Sequence, residues 1–239
     1  MKRRPFRANL AWMNVIAVLP AYEEAPRIES VIRGILPYIP IVLVIDDGSK
    51  DETSVKAQAA GALVLRHRVN RGQGAALKTG TLAALSMGAD IIVHMDSDGQ
   101  HDPSNLPNLL APILNGQADI VFGSRFLGIA SEGMPKTRRL LLHLARKFIN
   151  GYLLGIPRDI TDSQSGLRAF RAVAAKDIDF RQDRMAHCSE ILRLVTRSPW
   201  RWKEVPTKIR YTKETLAKSQ TSADRVLEIL WQLFMGAFR

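Results

Sequence analysis

An α/β fold built on a mostly parallel sheet follows from three features of the sequence. Short β-branched runs alternate with segments of helical apolar spacing, turn residues separate the two, and acidic motifs recur where the strands end. Strands are expected at Val15–Leu19, Ile41–Ile45, Ala62–Leu65, Ile91–Met95 and Ile120–Phe122. Between them, Ala25–Leu36, Thr53–Ala60, Ala75–Met87 and Leu106–Leu114 have apolar residues at helical intervals, and Asp51 and Thr53 are placed to cap the second. The first half therefore reads β-α-β-α-β-α-β-α-β. After Arg125 the pattern loosens into a basic helix over Pro135–Leu154, the polar loop TDSQSGLRAFR ending at Arg171, and a Lys/Arg-rich stretch from Lys203 to Lys218. A C-terminal amphipathic helix follows, with Val226, Ile229, Leu230, Leu233 and Phe234 at helical spacing. The expected division is one catalytic domain over 13–220 and this helix over 221–239.

With 239 residues, 46% of them hydrophobic, the chain can bury one substantial core. Its formal charge of +11 calls for an anionic partner: nucleic acid, a phosphorylated substrate or an anionic membrane surface. No apolar run approaches the roughly 18–20 residues that span a bilayer, so membrane contact is expected to be peripheral or through a membrane protein partner. The terminal helix, with Trp231, Met235 and Phe238 widening its stripe, suits either closure of the core or a membrane interface. Cys188 stands alone and cannot form an intramolecular disulfide, and the basic start MKRRPFRANLAW, broken by Pro5, lacks a secretory core. These features predict a reducing, cytoplasmic setting. The five histidines show no zinc-ligand spacing.

In open parallel sheets, ligands bind beyond the carboxyl ends of the strands. There the sequence holds PAYEE, DDGSKD, DSDGQHD and GSR. In DDGSKD a turn explains Gly48, Ser49 and Asp51, but not the adjacent Asp46 and Asp47. One of the two must face inward unless a ligand uses it, and an acid here can accept from a base or ribose hydroxyl. Asp96 and Asp98, one residue apart after IIVHM, raise each other's pKa unless a cation neutralises them. Mg²⁺ or Mn²⁺ held by one or two carboxylates plus substrate phosphates answers that, with Gln100 a further oxygen ligand. RGQGAALKTG lacks Walker spacing because Lys78 is displaced, and reads as a helix N-terminus with close backbone packing, a minor role beside a bound nucleotide being the alternative.

Arg125 at a strand end suits bidentate phosphate contact, while Arg138, Arg139, Arg146 and Lys147 lie along one helix, equally readable as a solvated face. Asp162 and the two arginines around Gly166, Arg168 and Arg171, fit a loop lining an anion site, and Glu190 is placed to hold such arginines. Should the chemistry require a general base, Asp162 and Glu190 are the candidates. A nucleic-acid-binding module would account for the charge, yet it would set paired carboxylates against a phosphate backbone, so no nucleic acid partner is expected.

Taken in order from Val15 to Arg171, and more loosely to Gln220, these motifs resemble family-two glycosyltransferases, within them the dolichol-phosphate mannosyltransferase-like or polyprenol-phosphate group. The resemblance implies a GT-A Rossmann-like fold and an inverting transfer from a UDP- or GDP-sugar to a polyprenyl-phosphate lipid at the cytoplasmic face of a membrane. It implies that Pro20, Tyr22, Glu24, Ile45 and Asp47 cradle the nucleoside, and that Asp96, Asp98 and Gln100 hold the metal with Ser97 nearby. Arg125 and Arg139 would grip the acceptor phosphate or leaving diphosphate, with Arg138 beside them. One or more of Lys208, Arg210 and Lys218 would close over the substrate, with Gln220 interchangeable with Lys218. Two departures stand out: Glu23 occupies a position where the family often has Asn, and the transmembrane hairpin of many bacterial relatives is lacking.

Overall fold

The computed structural model describes residues 13–127 and 160–209. The basic helix over 135–154, the C-terminal helix over 221–239, and Arg138, Arg139, Arg210 and Lys218 all lie outside the described residues. The five predicted strands form as β1 (Val15–Ala21), β2 (Ile41–Asp46), β3 (Leu63–Arg66), β4 (Ile91–His94) and β5 (Ile120–Ser124). The four predicted helices form as α1 (Ile28–Ile35), α2 (Thr53–Ala59), α3 (Gln73–Ser86) and α4 (Leu106–Leu114). Alternation works here because β1, β2, β4 and β5 are buried on both faces, so continuous β-branched runs pair in the sheet under crossover helices, while β3 at the edge stays largely exposed.

The second half corrects the expected loop. Arg168–Arg171 is a strand, β6, and it lies inside the sheet, followed by α5 (Ala172–Asp177), α6 (His187–Arg197) and β7 (Trp202–Pro206). The sheet order is β3-β2-β1-β4-β6-β5-β7. Strand β6 runs antiparallel to both neighbours, with Arg168 opposite His94 and Phe122, while β7 extends the sheet parallel to β5. Part of the stretch read as Lys/Arg-rich is therefore sheet.

Alternate residues of the strands feed two cores. Ala17, Leu19, Val42, Val44, Val93 and Val121 pack under α1, α2 and α4. Ile16, Val18, Leu43, Ile45, Ile92 and Phe170 pack under α3, α5 and α6. Helix α1 meets its core through Ile28, Val31, Ile32 and Ile35, a 3-4-7 spacing that keeps one face apolar. Full burial of Ile32 alone contributes about 1.5–3 kcal/mol relative to exposure. This three-layer packing leaves the carboxyl ends of β2, β1 and β4 side by side, where the acidic motifs sit, with that of β5 one strand further along.

Candidate active site

Asp46 and Asp47 divide the work expected of them. Asp46 is fully buried, accepts from Ser49 N at 2.8 Å and from the Ser54 hydroxyl, and closes the turn after β2. It is the inward-facing acid. Asp47 points across the sheet end, where its carboxylate accepts from Arg71 N (3.0 Å), Gly72 N (2.6 Å) and His67 Nδ1 (2.7 Å). His67 is steadied in turn by Thr79 on α3, 2.9 Å from Nε2. Asp47 thus clamps the loop that opens α3. The loop needs Gly72: φ is +108°, and a Cβ there would sit 2.3 Å from the Asp183 carbonyl oxygen.

The clamp reaches the second acidic motif through Gln73, the first residue of α3, whose Nε2 donates to Asp96 Oδ1 at 2.7 Å. His101 Nε2 lies 3.3 Å from the other oxygen, and a Cβ on Gly166 would fall 2.0 Å from Oδ2. Asp96 is boxed in from three directions. Burial alone would raise its pKa, but the His101 hydrogen bond and charge, with the charge of Arg168, hold it below the usual carboxylate range. Among the described residues Asp98 accepts only from the backbone of Gln100, at 2.9 Å, in its turn. Burial first, and the nearby charge of Asp96 second, push its carboxyl up to about 6. Ser97 between them is buried, and its hydroxyl donates to Pro20 O at 2.7 Å, tying the loop after β4 to β1.

These residues fit a divalent cation. Asp96 is already oriented, Asp98 has no ion-pair partner among the described residues, and the half-buried Gln100 adds an oxygen. Among the described residues no three His, Cys, Asp or Glu side chains form a closed metal cage. That is the chemistry of an ion held by one or two carboxylates and completed by substrate phosphates.

Around the same strand ends stand the other predicted residues. Tyr22, 40% exposed, follows β1, and Glu24 behind it binds Arg27 at 3.2 Å. Ile45 is buried near the end of β2. Lys208 is exposed, and its backbone is pinned by Asn105 at 2.9 and 3.0 Å. The neighbouring Ile209 bridges His101, which sets Lys208 beside the acidic loop.

Arg125 and Asp162 form a two-pronged pair, Nε to Oδ2 at 2.7 Å and Nη2 to Oδ1 at 2.8 Å, with Arg125 N donating as well. Burial would raise the Asp162 pKa, but Arg125 holds it below the usual range. Asp162 therefore anchors Arg125 and is unsuited to take a proton, which corrects its reading as a base. Glu190 is corrected likewise: its carboxylate accepts from Arg181 N and Gln182 N at 2.9 and 2.8 Å, holding a loop backbone and, among the described residues, no guanidinium. Arg168 is not on a solvent loop. It is 1% exposed on β6, donating from Nε to Ser165 O at 2.9 Å, and underlies Asp96.

Sequence reasoning missed Gln73, His101, Gly166 and Glu204. Glu204 on β7 accepts from Thr161 N at 2.8 Å and Asp162 N at 3.0 Å, so it positions the acid that positions Arg125. Burial raises its pKa. For Gln73 a signal existed, because a polar residue opening a helix beside a strand end points its side chain at whatever that end carries.

A mostly parallel seven-stranded sheet with acidic motifs at its carboxyl edge and an arginine held by a buried acid nearby has the form of a glycosyltransferase of the GT-A type. Residues 16–178 match the model of glycosyl transferase family 2, and the chain belongs to that family. It is 38% identical to an uncharacterised protein of Methanocaldococcus jannaschii over 92% of this chain and 91% of that one. It is 32% identical to a UDP-N-acetylglucosamine–dolichyl-phosphate N-acetylglucosaminyltransferase of Methanococcus voltae, covering 92% and 95% of the two chains. An undecaprenyl-phosphate mannosyltransferase of Micrococcus luteus is 32% identical, over 70% of each. Among solved structures, glucosyl-3-phosphoglycerate synthase of M. tuberculosis in complex with Mg²⁺ and UDP shares the fold, with TM-score 0.71, 23% identity, and coverage of 95% and 82%. Among the described residues no helix is long and apolar enough to cross a membrane.

Proposed function

We propose that this chain moves a sugar from a UDP- or GDP-sugar to a polyprenyl-phosphate lipid with inversion at the anomeric carbon, at the cytoplasmic face of a membrane. Pro20, Tyr22, Glu24, Ile45 and Asp47 receive the nucleoside. Asp96, Asp98 and Gln100 hold Mg²⁺ or Mn²⁺, with Ser97 between them, and Lys208, Arg210 and Lys218 close over the donor. When bound, the cation neutralises charge on the departing diphosphate. Arg125, kept in place by Asp162, and Arg138 or Arg139 present positive charge to the acceptor phosphate or the leaving group. Arg168 supports Asp96 from beneath.

One observation carries the choice of acceptor. Both acids suited to deprotonating a hydroxyl are engaged elsewhere, Asp162 by Arg125 and Glu190 by the Arg181–Gln182 backbone. A phosphate monoester is ionised near neutral pH and attacks the anomeric carbon without a base, while the bond from that carbon to the diphosphate oxygen breaks. The names of the Methanococcus and Micrococcus relatives support the same reading. The test is a panel of radiolabelled UDP- and GDP-sugars incubated with polyprenyl phosphate and Mg²⁺ or Mn²⁺. Label should enter the organic phase in an EDTA-sensitive manner, and Arg139→Ala should impair this severely while leaving nucleotide affinity intact. Label reaching only a glycan hydroxyl would sink the proposal.

A further inference from the structure

The loop 181–185 packs against the start of α3, directly after the loop 66–71: Ala75 N donates to Asp183 O at 3.1 Å, and Gly72 packs on the same carbonyl. Together the loops carry five arginines and one carboxylate, Asp183. Acids hold both backbones from within, Asp47 gripping Arg71 N and Gly72 N, and Glu190 gripping Arg181 N and Gln182 N. Arg66 is engaged with Ser49 O, and Arg181 lies 3.5 Å from Asp179. Arg68, Arg71 and Arg184 are exposed and have no carboxylate partner among the described residues. Next to them in the chain are two exposed apolar side chains, Val69 at 65% and Met185 at 48%.

Unpaired arginines interleaved with exposed apolar side chains, on rigidly held loops, match a bilayer carrying anionic headgroups: the cations meet the lipid phosphates and the apolar tips enter the acyl boundary. We infer that this patch is the surface by which the chain docks on an anionic membrane, presenting the cleft to a lipid-borne acceptor. The inference rests on the proposed lipid acceptor, yet it is tested separately from it. Each cation near an anionic leaflet contributes about fivefold to binding, so removing two should weaken it about thirtyfold, and reversing them more.

The test is co-sedimentation of the full chain with phosphatidylglycerol-containing vesicles and with pure phosphatidylcholine vesicles. The wild type should bind the first in a salt-sensitive manner. Arg68→Glu/Arg184→Glu should lose at least thirtyfold in affinity, and Val69→Asp/Met185→Asp should also bind more weakly. Arg68→Lys/Arg184→Lys should retain binding, since charge is what matters. Calorimetric UDP affinity and transfer to a water-soluble short-chain prenyl phosphate should be unchanged in all variants, which shows that they are folded. Charge-reversed protein sedimenting like wild type overturns the inference, as does tighter wild-type retention on single-stranded RNA than on the anionic vesicles. Failure of wild type to use the short-chain acceptor would instead count against the proposed function.

Discussion

Asp47→Asn probes how the donor cleft is held together. The carboxylate accepts from Arg71 N, Gly72 N and His67 Nδ1 at 2.6–3.0 Å, with its side chain only 4% exposed. An asparagine keeps one acceptor oxygen and turns an N–H₂ toward at least one of these donors, leaving it unsatisfied. Losing one charge-assisted bond costs about 1.5–3 kcal/mol and stranding a buried donor about 1–3 kcal/mol more, so the expected destabilisation is about 3 kcal/mol. Release of this loop also loosens Gln73, and with it the preset orientation of Asp96. The substitution should therefore weaken UDP binding measured by calorimetry, as well as lower the urea midpoint without changing the slope. If Asp47 served only as a nucleoside contact, UDP affinity would fall while stability stayed within about 0.5 kcal/mol of wild type. That result would refute the clamp.

Asp98→Asn should abolish turnover while leaving the urea midpoint within about 1 kcal/mol of wild type, because Asp98 accepts only a local turn bond; full activity with intact metal dependence would remove it from the site. Gly166→Ala would place a methyl 2.0 Å from Asp96 Oδ2, and displacement of that carboxylate should weaken Mn²⁺ binding, read by electron paramagnetic resonance, at least tenfold (~1.4 kcal/mol). Glu23 has φ 54°, where a side chain without local hydrogen-bonding capacity is disfavoured, so Glu23→Asn should raise stability by about 0.5–1 kcal/mol in denaturant titration. The Arg201 fork, aided by Arg171, holds Asp119 down to about 2. A depressed folded pKa means that its stabilisation is present above the ordinary value of 3.8 and is lost as pH falls toward 2. Since both arginines are half-exposed, the contribution is about 1 kcal/mol, and Asp119→Asn should flatten the acid limb of stability between those limits.

The half of the fold that was legible in the sequence owed this to β1, β2 and β4, whose VIAVL, IVLVI and IIVH runs leave no helical alternative of comparable burial. Strand β6 was hidden because its first residue is a buried arginine and the preceding Ser163, Gln164 and Ser165 read as loop. Strand β7 was hidden by its charges, although Glu204 is there to hold Thr161 and Asp162. Local spacing placed two acids at each of two strand ends and gave the reason for a cation. It did not reveal that Gln73 joins those motifs, nor that Gly72 answers to Asp183, because such contacts join residues far apart along the chain.

Strand β6 also sets an order of assembly. Residues 15–94 contain β3, β2, β1 and β4, which pair among themselves, while β5 and β7 reach that sheet only across Arg168–Arg171. A nascent chain emerging from the ribosome can thus complete one half-sheet early, but must wait for some 45 further residues after β5 before the two halves share a hydrogen bond. Until then the outer edge of β4 is open, and the loop bearing Asp96 and Asp98 has no Gly166 against it. The acidic loop therefore acquires its shape only after the first half-sheet is complete. Ribosome-bound fragments ending before and after 171 should differ in protease resistance at β4 while sharing it at β1.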